Sequence, residues 1–340
     1  MTYDELLENA RKYLGPHCKG CAVCNGAACR NTMPGPGAKG TGDNAIRNYN
    51  KWRDIRINMD TLTDVRSADT SVEIFGRSFK YPIFAGPVGA VKMHYSDRYD
   101  DDSYNNILVS ACAEAGIAAF TGDGTYPMVM EHACSAIKNS SGAGIPTVKP
   151  WNMETIKEKL ALVRSSKAFA CAMDIDGAGL PFLKNMDPPA GNKSTDELHA
   201  IAEEAGVPFI VKGIMTVKGA VKAVEAGASG IIVSNHGGRV LDQCPATAEV
   251  LAEIADAVRG KITIFVDGGI RSGTDVFKAL AMGADAVVIA RPYVTAVYGG
   301  GAEGVHMYTE KIGEELRDAM LMCGAASLKD IDRSMVRLPR

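Results

Sequence analysis

The chain has 340 residues, 46% of them hydrophobic, a formal net charge of −3 and a pI near 6.1. That is enough apolar material for one large core or two, and it gives no reason to expect nucleic acid or an acidic membrane as partner. No run approaches the roughly 18–20 apolar residues of a membrane span, and the acidic opening lacks the apolar core of a cleavable leader. Nine cysteines is an odd number, four of them crowded between Cys18 and Cys29. This suits reduced thiols or metal ligands in a cytoplasmic protein better than a secreted disulfide framework.

Residues 1–14 read as a short amphipathic helix that breaks at Gly15-Pro16. Residues 15–44 are dense in Gly, Pro and Cys and have no period, so something other than a core of their own must hold them. Residues 44–81 read as helix, turn and a small hairpin around Ser71–Gly76. The expected division is an N-terminal helix and Cys/Gly-rich extension over 1–80, packed on a second unit over 81–340.

From there the rhythm is regular. Apolar strand candidates begin near Ile83, Ile117, Thr147, Ala168, Phe209, Gly230, Thr263 and Ala286, with helix-like segments between them and an eighth at 304–322. Eight strand–helix alternations predict an α/β fold, a (β/α)8 barrel. No Gly-x-Gly-x-x-Gly opens the first helix, which weakens the alternative of a doubly wound dinucleotide-binding sheet. The longest non-periodic insertion, Gly177–Lys193, follows the fourth strand and reads as a lid or a disordered segment.

In such a barrel the chemistry lies at the C-terminal ends of the strands. Those ends read Pro87-Val88-Gly89, Gly122, Lys149-Pro150-Trp151, Asp174-Ile175-Asp176, Lys212, Ser234-Asn235-His236, Asp267-Gly268-Gly269 and Ala290-Arg291. Glycines after strands seven and eight let backbone N–H groups approach an anion that Arg271 and Arg291 neutralise, which predicts a phosphate site. Lys212 ends a buried-type strand and needs either a carboxylate partner or a role in the chemistry. His236 sits among glycines rather than packing residues, although a hydrogen-bonded turn would explain it too. Arg239, three residues on, is a second polar candidate or a surface arginine.

Two stretches carry a family likeness. Ser234–Asp242 with Pro245-Ala246-Thr247, and Val266–Leu280, resemble the FMN-dependent 2-hydroxy acid oxidase and dehydrogenase family, the group of glycolate oxidase, lactate oxidase and L-lactate dehydrogenase. The likeness is dense from Phe209 to Ser334 and thinner from Asp69 to Asp174. It implies FMN as cofactor and oxidation of a 2-hydroxy acid, lactate-like or larger, to the 2-oxo acid. It further implies His236 as base, Asp174 as the carboxylate orienting it, Arg239 for the substrate carboxylate and Lys212 beside the flavin ring. Pro87, Val88, Gly89, Gly122, Lys149, Ser234, Asp267, Gly268, Gly269, Arg271, Ala290 and Arg291 would contact the cofactor, and a homo-oligomer, tetramer or octamer, is implied as well.

Three departures concern the substrate. The family's tyrosine-bearing stretch is Met33–Gly40 here, its Gln-x-Tyr is Lys149-Pro150-Trp151, and its arginine after strand four is absent from Gly177–Pro181. Half of a carboxylate clamp is therefore missing. A flavin-dependent isomerase of the type 2 isopentenyl diphosphate isomerase kind is one alternative, against which His236 and Arg239 argue. A flavin- and metal-binding electron carrier or redox sensor without turnover is the other. Cys18, Cys21, Cys24 and Cys29 have spacing suited to zinc or an iron–sulfur cluster, or are free thiols in a glycine-rich loop. The electron acceptor is not legible.

Overall fold

The computed structural model describes residues 1–187 and 189–339. Eight parallel strands, Ile83–Ala85, Ala118–Thr121, Gly144–Val148, Cys171–Asp174, Phe209–Ile214, Gly230–Val233, Thr263–Val266 and Ala286–Ile289, form a closed barrel. Each pairs with its sequence neighbour, and Val287 pairs with Ile83 to close the ring. The expected alternation of strand and helix is therefore observed, with boundaries shifted by a few residues.

Side chains alternate across each strand, which separates two apolar layers. Phe84, Phe120, Ile145, Ala172, Ile210, Ile232, Phe265 and Val288 fill the barrel interior. Their neighbours Ile83, Val211, Ile231 and Ile264 face the helices. Two residues beyond each inward side chain, or four beyond Ile145, the same face reaches the C-terminal rim. The positions reached are Gly86, Gly122, Lys149, Asp174, Lys212, Ser234, Asp267 and Ala290. The strand register alone thus delivers two lysines and two aspartates to one mouth.

The other end is plugged. The hairpin Val72–Ile74 and Arg77–Phe79 turns through Phe75 and Gly76, both at positive φ, and packs Phe79 edge-on against Phe84 at 4.9 Å.

The N-terminal residues build on the barrel. The helix Tyr3–Tyr13, with a Thr2–Glu5 capping box, lies along Arg291–Met322, where Leu6 sits against Gly299 and Gly304. Arg291–Met322 breaks at Gly301, so a separate helical piece starts directly after the eighth strand. The helix Asp43–Asp54 packs on the turns after strands six and seven: Asn48 donates to Asn235 (2.8 Å) and Trp52 Nε1 to the Gly268 carbonyl (2.8 Å). Gly269 needs its hydrogen there, because a Cβ would fall 2.1 Å from the Asn48 oxygen at a φ of +86°.

The insertion after strand four forms a short helix, Pro181–Lys184, with Leu180, Leu183 and Ala190 buried and Lys184, Asn185, Asp187 and Pro189 exposed; Pro188 lies outside the described residues.

Candidate active site

A cavity of about 410 Å³ opens at the C-terminal mouth, a size suited to a small ligand or cofactor. It is lined by His236, Arg239, Lys212, Asp174 and Lys149, and by Pro87, Val88, Gly89, Gly122, Asp267, Gly268, Gly269, Arg271, Ala290 and Arg291. Ser234 is fully buried and not among the lining residues, and its Oγ accepts the His236 backbone N–H at 3.0 Å.

His236 has a left-handed backbone (φ 57°) in the turn that follows strand six. Gly238, also left-handed, lets Ala38 and Asn44 close over that turn, since a Cβ would meet each within 3 Å. The carboxylate hydrogen-bonded to His236 is that of Asp176 rather than Asp174. Asp176 Oδ1 lies 2.8 Å from His236 Nδ1, while Asp174 Oδ2 is 3.9 Å from Nε2 and is ion-paired with Lys149 Nζ. With Nδ1 donating to Asp176, Nε2 keeps a lone pair. Burial first, then Lys212 and Lys149, push the imidazole well below its ordinary range, so the ring is neutral and can accept a proton.

Lys212 lies at a bulge between strands five and six, 3.7 Å from Asp267. Burial lowers its pKa, but Asp176, Asp267 and Asp174 outweigh that and hold the ammonium charged. Burial raises Asp267 and Asp176, with Lys212 opposing in both cases. One oxygen each of Asp174, Asp176 and Asp267 is buried with no hydrogen-bond partner in the protein.

Trp151 is turned out of the cavity. Its Nε1 donates to Asp123, which also accepts from Lys149 N and Lys159 Nζ and is fully engaged. In place of the missing clamp, Met33, Met93, Leu180 and Phe182 give the wall an apolar sector. His94 and Tyr95 also line it, and neither stood out in the sequence. His94 Nδ1 accepts the Gly35 N–H at 3.0 Å, and burial, then Arg239 and Lys149, push it down to about 3.

The three cavity arginines have no carboxylate within salt-bridge distance among the described residues. They donate to carbonyls of the extension instead: Arg239 to Gly35 and Gly37, Arg291 to Pro36 (2.9 Å), Arg271 to Cys24 (2.8 Å). Three guanidinium groups facing one cavity without a paired carboxylate fit an anionic ligand. Burial, then Arg291, brings Arg239 down to about 10, which still leaves it charged at neutral pH.

The model of the FMN-dependent dehydrogenase family matches residues 35–180 and 181–338. The chain belongs to that family. It is an FMN-dependent oxidoreductase. It is 32% identical to a peroxisomal (S)-2-hydroxyacid oxidase of Arabidopsis thaliana, over 85% of this chain and 87% of the relative. It is 30% identical to an L-lactate oxidase of Lactobacillus jensenii, over 82% of this chain and 74% of the relative. A solved structure of a mandelate oxidase variant with (S)-mandelic acid superposes with a TM-score of 0.78 at 27% identity, covering 99% and 98% of the two chains. These matches favour the oxidoreductase over the isomerase and over the protein without turnover. The family match begins at Gly35, after the four clustered cysteines.

Residues present fit the cofactor: the cavity combines arginines without a carboxylate partner, a buried lysine and unsatisfied carboxylate oxygens. Arg271, Arg291 and the backbone of Gly268, Gly269 and Ala290 would hold the phosphate, Lys212 the ring edge, and Pro87–Gly89 its face. The helical piece beginning at Arg291 adds its N-terminal dipole.

Proposed function

We propose that the chain oxidises a 2-hydroxy acid with an apolar substituent to the corresponding 2-oxo acid. The observation that carries this is a neutral His236, fixed through Nδ1 by Asp176, beside a charged Arg239 in a cavity with an apolar sector. Nε2 of His236 takes a proton from the substrate. Asp176 and Asp174 stabilise the imidazolium that results. Donors of Arg239 not used on Gly35 and Gly37 pair with the substrate carboxylate. Bound FMN supplies the acceptor for the two electrons, and Lys212 offsets the negative charge that gathers beside it.

The substituent would meet Met33, Met93, Leu180 and Phe182, which favours larger apolar 2-hydroxy acids over glycolate. No helix among the described residues is long and apolar enough to cross a membrane. A cytoplasmic location fits nine cysteines free of disulfides, and homo-oligomeric assembly belongs to the same reading through the family resemblance. Cys18, Cys21, Cys24 and Cys29 complete it as a metal site.

An anaerobic panel of 2-hydroxy acids added to the FMN-loaded protein tests the proposal by loss of flavin absorbance. Bleaching by aromatic or branched members, faster than by glycolate, is expected. A flavin that dithionite bleaches and no 2-hydroxy acid does would refute it.

A further inference from the structure

Between Gly15 and Pro34 the only buried residues are Gly20 and Gly26, and Val23 is 52% exposed. This stretch therefore has no side-chain core, yet it carries four half-buried thiols between Cys18 and Cys29. Thiolates at the spacing Cys-x2-Cys-x2-Cys, with a fourth after four more residues, suit iron–sulfur ligation as well as zinc.

The loop is also wired to the cavity. Arg271 lines the cavity, donates through Nε to the Cys24 carbonyl and places Nη2 3.7 Å from Cys24 Sγ. A single side chain thus separates the thiol cluster from the proposed cofactor site.

We propose that Cys18, Cys21, Cys24 and Cys29 bind an iron–sulfur cluster that is the electron outlet of the cavity toward a one-electron acceptor outside the protein. The outlet half rests on the flavin reading above; the cluster half does not. Oxidation of one 2-hydroxy acid releases two electrons and two protons. The electrons leave singly to two acceptor molecules, and the protons pass to solvent.

The test uses anaerobically purified full-length protein, assayed for iron, zinc, acid-labile sulfide and the paramagnetic resonance signal of the dithionite-reduced form. Cytochrome c serves as an acceptor too large to enter the cavity. Iron with labile sulfide and a cluster signal is expected, all lost when the four cysteines become serine. In that variant the ratio of cytochrome c reduction to flavin reduction should fall on the order of tenfold or more. Cys24→Ser alone gives the same readout where the quadruple variant does not fold. Zinc without iron, or a metal-free protein that retains FMN, overturns the cluster. Iron and sulfide with an unchanged ratio overturn the outlet. A flavin that no 2-hydroxy acid reduces, in protein carrying iron and sulfide, overturns the outlet through the flavin reading and supports the cluster.

Discussion

The barrel mouth and the loop of residues 15–40 meet at one cavity, but different physics orders them. At the mouth, strand alternation aims Lys149, Asp174, Lys212 and Asp267 inward before any ligand is considered. In the loop nothing repeats, and hydrogen bonds from Arg239, Arg271 and Arg291 to its carbonyls hold it in place. The same three arginines face the cavity. A change at the mouth should therefore act mainly on chemistry, and a change at the seam on stability and pH response.

The largest effect expected short of removing the base is at Lys212. Lys212→Met leaves Asp267, Asp174 and Asp176 without their shared cation. Flavin reduction by substrate should slow on the order of 10³-fold in anaerobic stopped-flow. A rate within twofold of wild type would detach the strand register from the chemistry.

Asp176 and Asp174 sharpen the comparison within the mouth. Asp176→Asn should lower the reduction rate on the order of 10²-fold and shift its pH profile, because it removes the acceptor for Nδ1–H. Asp174→Asn leaves that bond in place and should cost less. Equal losses, or the reverse order, would return the orienting role to Asp174.

At the seam, Gly269→Ala forces a Cβ against the Asn48 carbonyl at a left-handed residue. Urea denaturation should show a loss of about 3 kcal/mol, and FMN should bind more weakly as the helix Asp43–Asp54 shifts. Unchanged stability would mean that this helix does not brace the mouth.

The smallest effect is the pH response of the loop. His94 is held neutral down to about 3, whereas an unfolded histidine takes up its proton below about 6.5. Below that pH the unfolded chain binds more protons, so stability falls as pH falls, by up to about 1.4 kcal/mol per unit for this group. His236, also depressed, acts with the same sign. His94→Gln should flatten the slope between about pH 6.5 and 5 in parallel urea melts. A slope equal to wild type would show that the bond to Gly35 N–H carries no such linkage.

This contrast also explains what the sequence disclosed. The barrel was legible because eight apolar runs recur with turn residues between them, and the mouth because residues in register with core positions are polar there. Asp176 carries no signal in the sequence beyond its place at a strand end, since it lies in the turn Ile175–Gly179, where strand alternation no longer applies. Trp151 matched a substrate-contacting position by likeness, yet Asp123 draws its N–H away from the cavity. His94 and Phe182 sit on four-residue helices, Val91–His94 and Pro181–Lys184, too short to carry a period. The bracing of the extension by three arginines depends on backbone carbonyls, which composition does not reveal.

The central claim is that His236 is the base of a flavin-reducing site assembled by the strand ends. Anaerobic single-turnover reduction of FMN-loaded wild type and His236→Ala, side by side with one 2-hydroxy acid, tests it most directly. The variant should retain stoichiometric FMN and bleach at least 10²–10⁴-fold more slowly. Full FMN occupancy with bleaching as fast as wild type would contradict the claim.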